Sequence, residues 1–213
     1  MPFNPSPKMK TITLLLAIFA LVQTDSSGQN RFDKQINIIA TTSVAGKEYQ
    51  IQIQTSSDSI QVLTRILDST STKVEDDLEY KEVRKQLLSK KSIDLQDQKT
   101  SKLIKRLKQI SDSYKIFTEE MISIPNEHEL QFLKQIEDIF ATPTDSLTKE
   151  KQPMIIFDGT FTQFKLTDSQ GSREFNLRFS SGPNYPEIKN LLKTTKHIIK
   201  LRSKNEKISK YQF

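Results

Sequence analysis

Residues 48–55 read EYQIQIQT, and this stretch limits the architecture more than any other. Tyr49, Ile51 and Ile53 alternate with Gln50, Gln52 and Gln54. On a helix, at about 100° per residue, these side chains would scatter around the axis; on a strand they separate cleanly onto two faces. One dry and one wet face predicts an antiparallel sheet covered on one side only. Ala45-Gly46-Lys47 supplies a turn before the strand, and Ser56-Ser57-Asp58-Ser59 one after it. QINIIATT (35–42) and SIQVLTRIL (59–67) are the strands expected on either side.

From Lys73 to Phe140 the apolar period becomes helical. Leu103, Leu107, Ile110, Tyr114 and Phe117 are spaced four, three, four and three, which places them on one stripe of a helix. Tyr80, Val83 and Leu87 form a shorter stripe before it; Leu130, Leu133, Ile136 and Phe140 form one after it. Pro125 separates the last two, and Asn126 followed by Glu129 has the spacing of a capping box. These stripes are read as core contacts, with a coiled-coil dimer as the minor alternative, because the regular spacing lasts only about two heptads.

TPTDSLTKEKQP (142–153) is a polar linker by composition. Strands are expected again at Ile155–Phe157, TFTQFKLT and REFNLRFS, with a turn at Asp168–Gly171. In the last of these, Phe175, Leu177 and Phe179 alternate with Asn176, Arg178 and Ser180. Pro186 and Glu187 then suit a helix start. Ile188, Leu191, Leu192, Ile198 or Ile199 and Leu201 form its apolar face; Lys189, Lys193, Lys196 and Lys200 form its charged face. The predicted class is α+β: an antiparallel sheet from two three-strand groups, a helical middle segment, and a C-terminal amphipathic helix packed on one face. Two separate subdomains are the alternative.

The N-terminal 28 residues carry a different pattern. Lys8 and Lys10 precede the apolar run Ile12–Val22, and the polar, small-residue segment QTDSSG follows. Basic, apolar, then small is the order of a secretory signal. The run is about half of the roughly 20 residues a spanning helix needs, so no stable membrane span is expected after cleavage. Met9 is an alternative start. Ser26 and Gly28 place cleavage between Gly28 and Gln29, with cuts after Thr24 or Ala20 as alternatives. Residues 29–213 are then a single exported domain. With no cysteine, lipidation through Cys and disulfides are both closed, so the domain must be held by its own core. A mature chain opening on Gln after such a signal resembles exported proteins of Bacteroidota, which implies the periplasm or cell surface and says nothing about activity.

The formal net charge is +6. Pro186–Phe213 contains eight Lys or Arg against Glu187 and Glu206, so the basic excess is concentrated there. Export argues against a nucleic-acid partner. A solvated helix face is the ordinary reading of such lysines; the functional one is contact with a polyanionic glycan or an acidic envelope surface.

Several stretches approach catalytic motifs without completing them. MIIFDGTFT (154–162) resembles the phosphoaspartate loop of haloacid dehalogenase-like phosphatases. That loop needs a second aspartate two residues before Asp158, and Ile156 stands there; a hydrocarbon cannot form an acyl phosphate. Asp158-Gly159 is read instead as a hairpin turn. TTSVAGKE (41–48) imitates a P-loop, but Thr41 replaces its first Gly and Glu48 its Ser or Thr. His128-Glu129 opens an HExxH pattern in which Phe132 takes the place of the second His, and His197 is the only other histidine. No metal, cofactor or catalytic residue is therefore assigned. The acidic pairs Asp76-Asp77 and Glu119-Glu120 are read as helix surface.

Asp58-Ser59-Ile60, Asp68-Ser69-Thr70 and Asp145-Ser146-Leu147 share the order Asp, hydroxyl, methyl-bearing residue. This resembles the O-glycosylation acceptor pattern of exported Bacteroidota proteins, and implies Ser59, Ser69 and Ser146 as acceptors. Turn and cap chemistry explains the same pairs equally well. The expected function is binding of a protein, glycan or envelope surface by a noncatalytic exported protein. The alternative is an exported hydrolase with a Ser/Asp/Glu site that leaves no motif.

Overall fold

Six strands, β1 (Lys34–Thr42), β2 (Glu48–Thr55), β3 (Ser59–Thr70), β4 (Lys115–Pro125), β5 (Thr160–Asp168) and β6 (Gly171–Phe179), join into one sheet of order β4-β3-β2-β1-β5-β6. Every neighbouring pair is antiparallel. The computed structural model describes residues 32–42, 47–90, 96–149, 160–179 and 184–211. The signal segment, the Ala45-Gly46 turn, Ile155–Phe157 and Asp158-Gly159 lie outside these residues.

The α+β class with an antiparallel sheet is as expected. Register lays the inward residues in rows across the strands. One row runs Phe175, Phe164, Ile38, Ile51, Thr64, Glu120; the next runs Leu177, Thr162, Ala40, Tyr49, Ile66, Thr118. Stacked Phe164 and Phe175 rings, 5.2 Å apart, anchor the β5–β6 side. The other face carries Gln50, Gln52, Gln54 and Gln61, none of them buried. The alternation in EYQIQIQT thus sets which side of the whole sheet is dry.

Helices α1 (Leu78–Leu88) and α2 (Gln98–Ser113) form a hairpin between β3 and β4, followed along the chain by α3 (Leu130–Ala141), α4 (Thr144–Thr148), α5 (Pro186–Arg202) and α6 (Glu206–Ser209). Phe132, Ile136 and Ile139 of α3, Leu147 of α4, Ile188, Leu191, Leu192, Ile198 and Ile199 of α5 and Ile208 of α6 share one core with the inward sheet residues. Burial of these apolar side chains is the main stabilising contribution to the fold. Val83, Leu87 and Ile110 of the α1–α2 hairpin form a second, separate cluster, flanked by Tyr80, Leu103, Leu107 and Tyr114.

Several element assignments are corrected. The helical middle is interrupted: α2 stops at Ser113, and KIFTEEMISIP is β4, so Phe117 lies on a strand. Its inward Ile122 and Ile124 pair with Val62 and Ile60, and this cross-strand burial overrides the helical spacing. Glu119 and Glu120 are therefore strand residues on opposite faces. Asn126 begins a single 3-10 turn and does not cap α3, whose first residue is Leu130. Its side-chain amide instead donates to the Ser56 carbonyl at 3.0 Å, tying the turn after β4 to the β2–β3 hairpin. The buried stripe of α3 is rotated so that Phe132 is in the core and Leu130 is exposed. Leu201, expected on the buried face of α5, is 69 % exposed. Within the expected linker, Thr144–Thr148 forms a helical turn because Leu147 inserts into the core.

Candidate functional site

Helix α5 begins under strain. Tyr185, its N-cap, has φ 57° and ψ 54°, a left-handed conformation unfavourable for a residue with a side chain. Its ring packs edge-on against Phe179 at 5.9 Å, which holds the turn onto the end of β6. Pro186 then occupies the first helical turn, where its missing N–H costs nothing. From this start the helix lays its apolar stripe on the sheet, and Lys189, Lys193 and Lys196 fall along one flank at intervals of four and three.

That flank borders a cavity of about 360 Å³ lined by Tyr49, Thr160, Phe179, Lys189, Leu192, Lys193 and Lys196. Tyr49, Thr160 and Phe179 come from β2, β5 and β6, at the end of the sheet where α5 starts. Lys193 is exposed, whereas Lys196 is half-buried. Burial pushes the Lys196 ammonium below its ordinary pKa. No described carboxylate pairs with it. Burial, reinforced by the neighbouring Tyr211, pushes the Tyr49 phenol up to about 12, so the ring stays neutral. The cavity is thus cationic on the helix side and aromatic on the sheet side. Of the four lysines singled out from the sequence, three meet at this cavity; Lys200 is exposed and lies outside it.

The other singled-out residues are dispersed. Gly28 and Gln29 lie outside the described residues, as do Ile156 and Asp158. Ser59 is half-buried in the β2–β3 turn, its hydroxyl 3.1 Å from that of Ser56, and Asp58 accepts from Ser56 at 2.7 Å. Ser69 is exposed beside a bulge in β3, where the register shifts between Leu67 and Ser69. The extra residue, Asp68, accepts hydrogen bonds from Thr118 and from Lys207 of α6. Ser146 is exposed on α4.

The P-loop-like and HExxH-like stretches resolve into structural roles, whereas Ile156 and Asp158 of the phosphoaspartate-like stretch lie outside the described residues. Phe132 is a fully buried core residue, while His128 and His197 are exposed on separate elements. Thr41 and Glu48 face each other across the β1–β2 pair, so the P-loop-like stretch joins two antiparallel strands and precedes no helix. Glu48 forms a largely buried ion pair with Lys115, which also contacts Asp112 at 2.7 Å. Asp77 caps α1 by accepting from the Tyr80 N–H, and also accepts from the Tyr114 hydroxyl. Among the described residues, no group of three His, Cys, Asp or Glu is arranged to hold a metal. No helix among them is long and apolar enough to cross a membrane.

The sequence located the lysine stripe but not its cavity. The aromatic and hydroxyl side comes from three strands far apart in the chain, and only the register brings them together. Comparison with protein-family models, with curated proteins and with solved structures found no match for this chain.

Proposed function

We propose that the chain is an exported, noncatalytic binding protein of the periplasm or cell surface, and that the lysine flank of α5 is its contact with an anionic component of the envelope. One observation carries the binding half of this reading: Lys189, Lys193 and Lys196 line a single cavity. Clustered ammonium groups on a rigid helix raise the local concentration of anions and strengthen their capture at low salt. The N-terminal pattern of basic, apolar and small residues supports the export half.

Two measurements test the two halves. Intact-mass analysis of the exported protein is expected to give an N-terminus at Gln29, and a product retaining residues 12–22 removes the signal reading. Titration with dextran sulfate, as a generic polyanion, is expected to show binding that weakens with added salt. Lys193→Glu is expected to abolish it while leaving the thermal melt in place. Salt-independent binding, or binding unaffected by that change, overturns the reading.

A further inference from the structure

The cavity beside α5 reaches past the charged surface. Leu192, 6 % exposed, and Tyr49, 4 % exposed, both belong to the core and both line it. Phe179 adds a third apolar wall. A polyanion lying across the helix would meet the ammonium groups and leave the cavity behind them unfilled. A small inorganic ion would do the same. A wholly apolar molecule would fill the lower part but leave Lys196 partly desolvated and with no counter-charge from the described residues, which is unfavourable. Only a ligand with both parts satisfies both walls.

We propose that this cavity binds a free amphiphilic carboxylate, with its apolar body against Tyr49, Phe179 and Leu192 and its carboxylate at Lys193 and Lys196. The volume of about 360 Å³ falls within the range of small-molecule sites, roughly 300–1,000 Å³. The charge-assisted hydrogen bond to Lys196 forms at the rim of a partly dry pocket, where it is stronger than in bulk water. This deepens the binding function proposed above and rests on it, choosing a small amphiphile over an anionic glycan as the group recognised.

Calorimetric titration of the full chain with decanoate below its micelle concentration, with decanol and with dextran sulfate tests the assignment. Decanoate is expected to bind one to one, with decanol weaker by about tenfold or more because it lacks the charge. Lys196→Met is expected to weaken decanoate by about tenfold with an unchanged melt, and Lys200→Met to leave it within about twofold. Should Lys196→Met fail to fold, Lys196→Gln takes its place, and the comparison of decanoate with decanol needs no variant. Equal affinity for decanol, or full affinity in Lys196→Met, overturns the proposal. Binding of dextran sulfate or of phosphatidylglycerol vesicles without uptake of decanoate also overturns it, while leaving the anion-binding flank in place. Binding of none of these removes both.

Discussion

Arg173 reaches from edge strand β6 to the last turn of α3, where its Nη2 donates to the Ile139 carbonyl at 2.8 Å. The same guanidinium donates to the Phe140 carbonyl at 3.1 Å and, through Nη1, to the Thr142 carbonyl at 2.7 Å. The last carbonyls of a helix have no intrahelical partner and carry its negative dipole end, so a planar, multiply donating cation fits them well. Arg173 stands opposite Leu166, an inward position at the sheet's edge. Arg173→Met is therefore expected to cost about 1.5–3 kcal/mol, the range for hydrogen bonds to a charged group. Arg173→Lys should recover only part of it, since a single ammonium cannot span three carbonyls. Urea unfolding of both variants decides; a Lys variant as stable as the parent would show that charge alone matters there.

Glu120 does the corresponding task at the opposite edge. Its carboxylate accepts from the Lys204 N–H at 2.7 Å and the Asn205 N–H at 3.3 Å, and from the Ser203 hydroxyl, fixing the turn between α5 and α6. Partial burial opposes its charge, but these hydrogen bonds outweigh burial and hold the carboxyl below its ordinary 4.5. A depressed folded-state pKa gives stability that is fully present above the unfolded value and is lost as pH falls through the folded one. Thermal melts between neutral pH and about pH 3 should thus show an acid-side loss that is smaller in Glu120→Gln, whose amide does not titrate in this range. An unchanged acid limb in that variant would assign the loss to other carboxylates.

These two residues also mark where sequence reading stopped. β4 contains the alternating pair Ile122 and Ile124, yet Glu120 occupies the next inward position and breaks the apolar pattern. Its partners lie more than 80 residues away in the turn after α5, so no local window explains an inward acid. The spacing of Leu103, Leu107 and Ile110 extended by chance through Tyr114 to Phe117, across the helix end. In α3, two stripes fit a helix equally well, and only packing against the sheet selects Phe132, Ile136 and Ile139. By contrast β2, β5 and α5 were legible, because each repeats one period without a charged exception on its dry face, and β6 was legible from Phe175, Leu177 and Phe179 although Arg173 interrupts the same face. Inward charges at both sheet edges also discourage edge-to-edge association, a use that no periodicity reveals.

Helix α5 gives a direct test of face assignment. Leu192 is buried against the sheet, and Lys193, the next residue, is exposed. Leu192→Ala is expected to destabilise the fold by about 2–5 kcal/mol, as truncation of a buried leucine does. Lys193→Ala is expected to stay within about 0.5 kcal/mol, as surface changes usually do. Equal losses in denaturant unfolding would mean that the helix sits in a different rotation from the one described.

The α1–α2 hairpin should open before the sheet does. Its cluster of Val83, Leu87 and Ile110 is separate from the main core, so its packing adds little to the cooperative unit around the sheet. Polar contacts at its base include the ion pair between Arg106 and Glu79, with Nη2 2.7 Å from the carboxylate, and the Tyr114 hydroxyl 2.7 Å from Asp77. The ion pair is half-exposed on both sides, and solvent screening leaves such pairs a small contribution to stability. Amide exchange is expected to be faster in Leu78–Leu88 and Gln98–Ser113 than in β1 and β2, reporting local opening below the global unfolding energy. Leu87→Ala should accelerate exchange in both hairpin helices while leaving protection in β1 and β2 unchanged. Equal acceleration in the sheet would show that hairpin and sheet unfold as one cooperative unit, and that the gap between the two apolar clusters is not an energetic boundary.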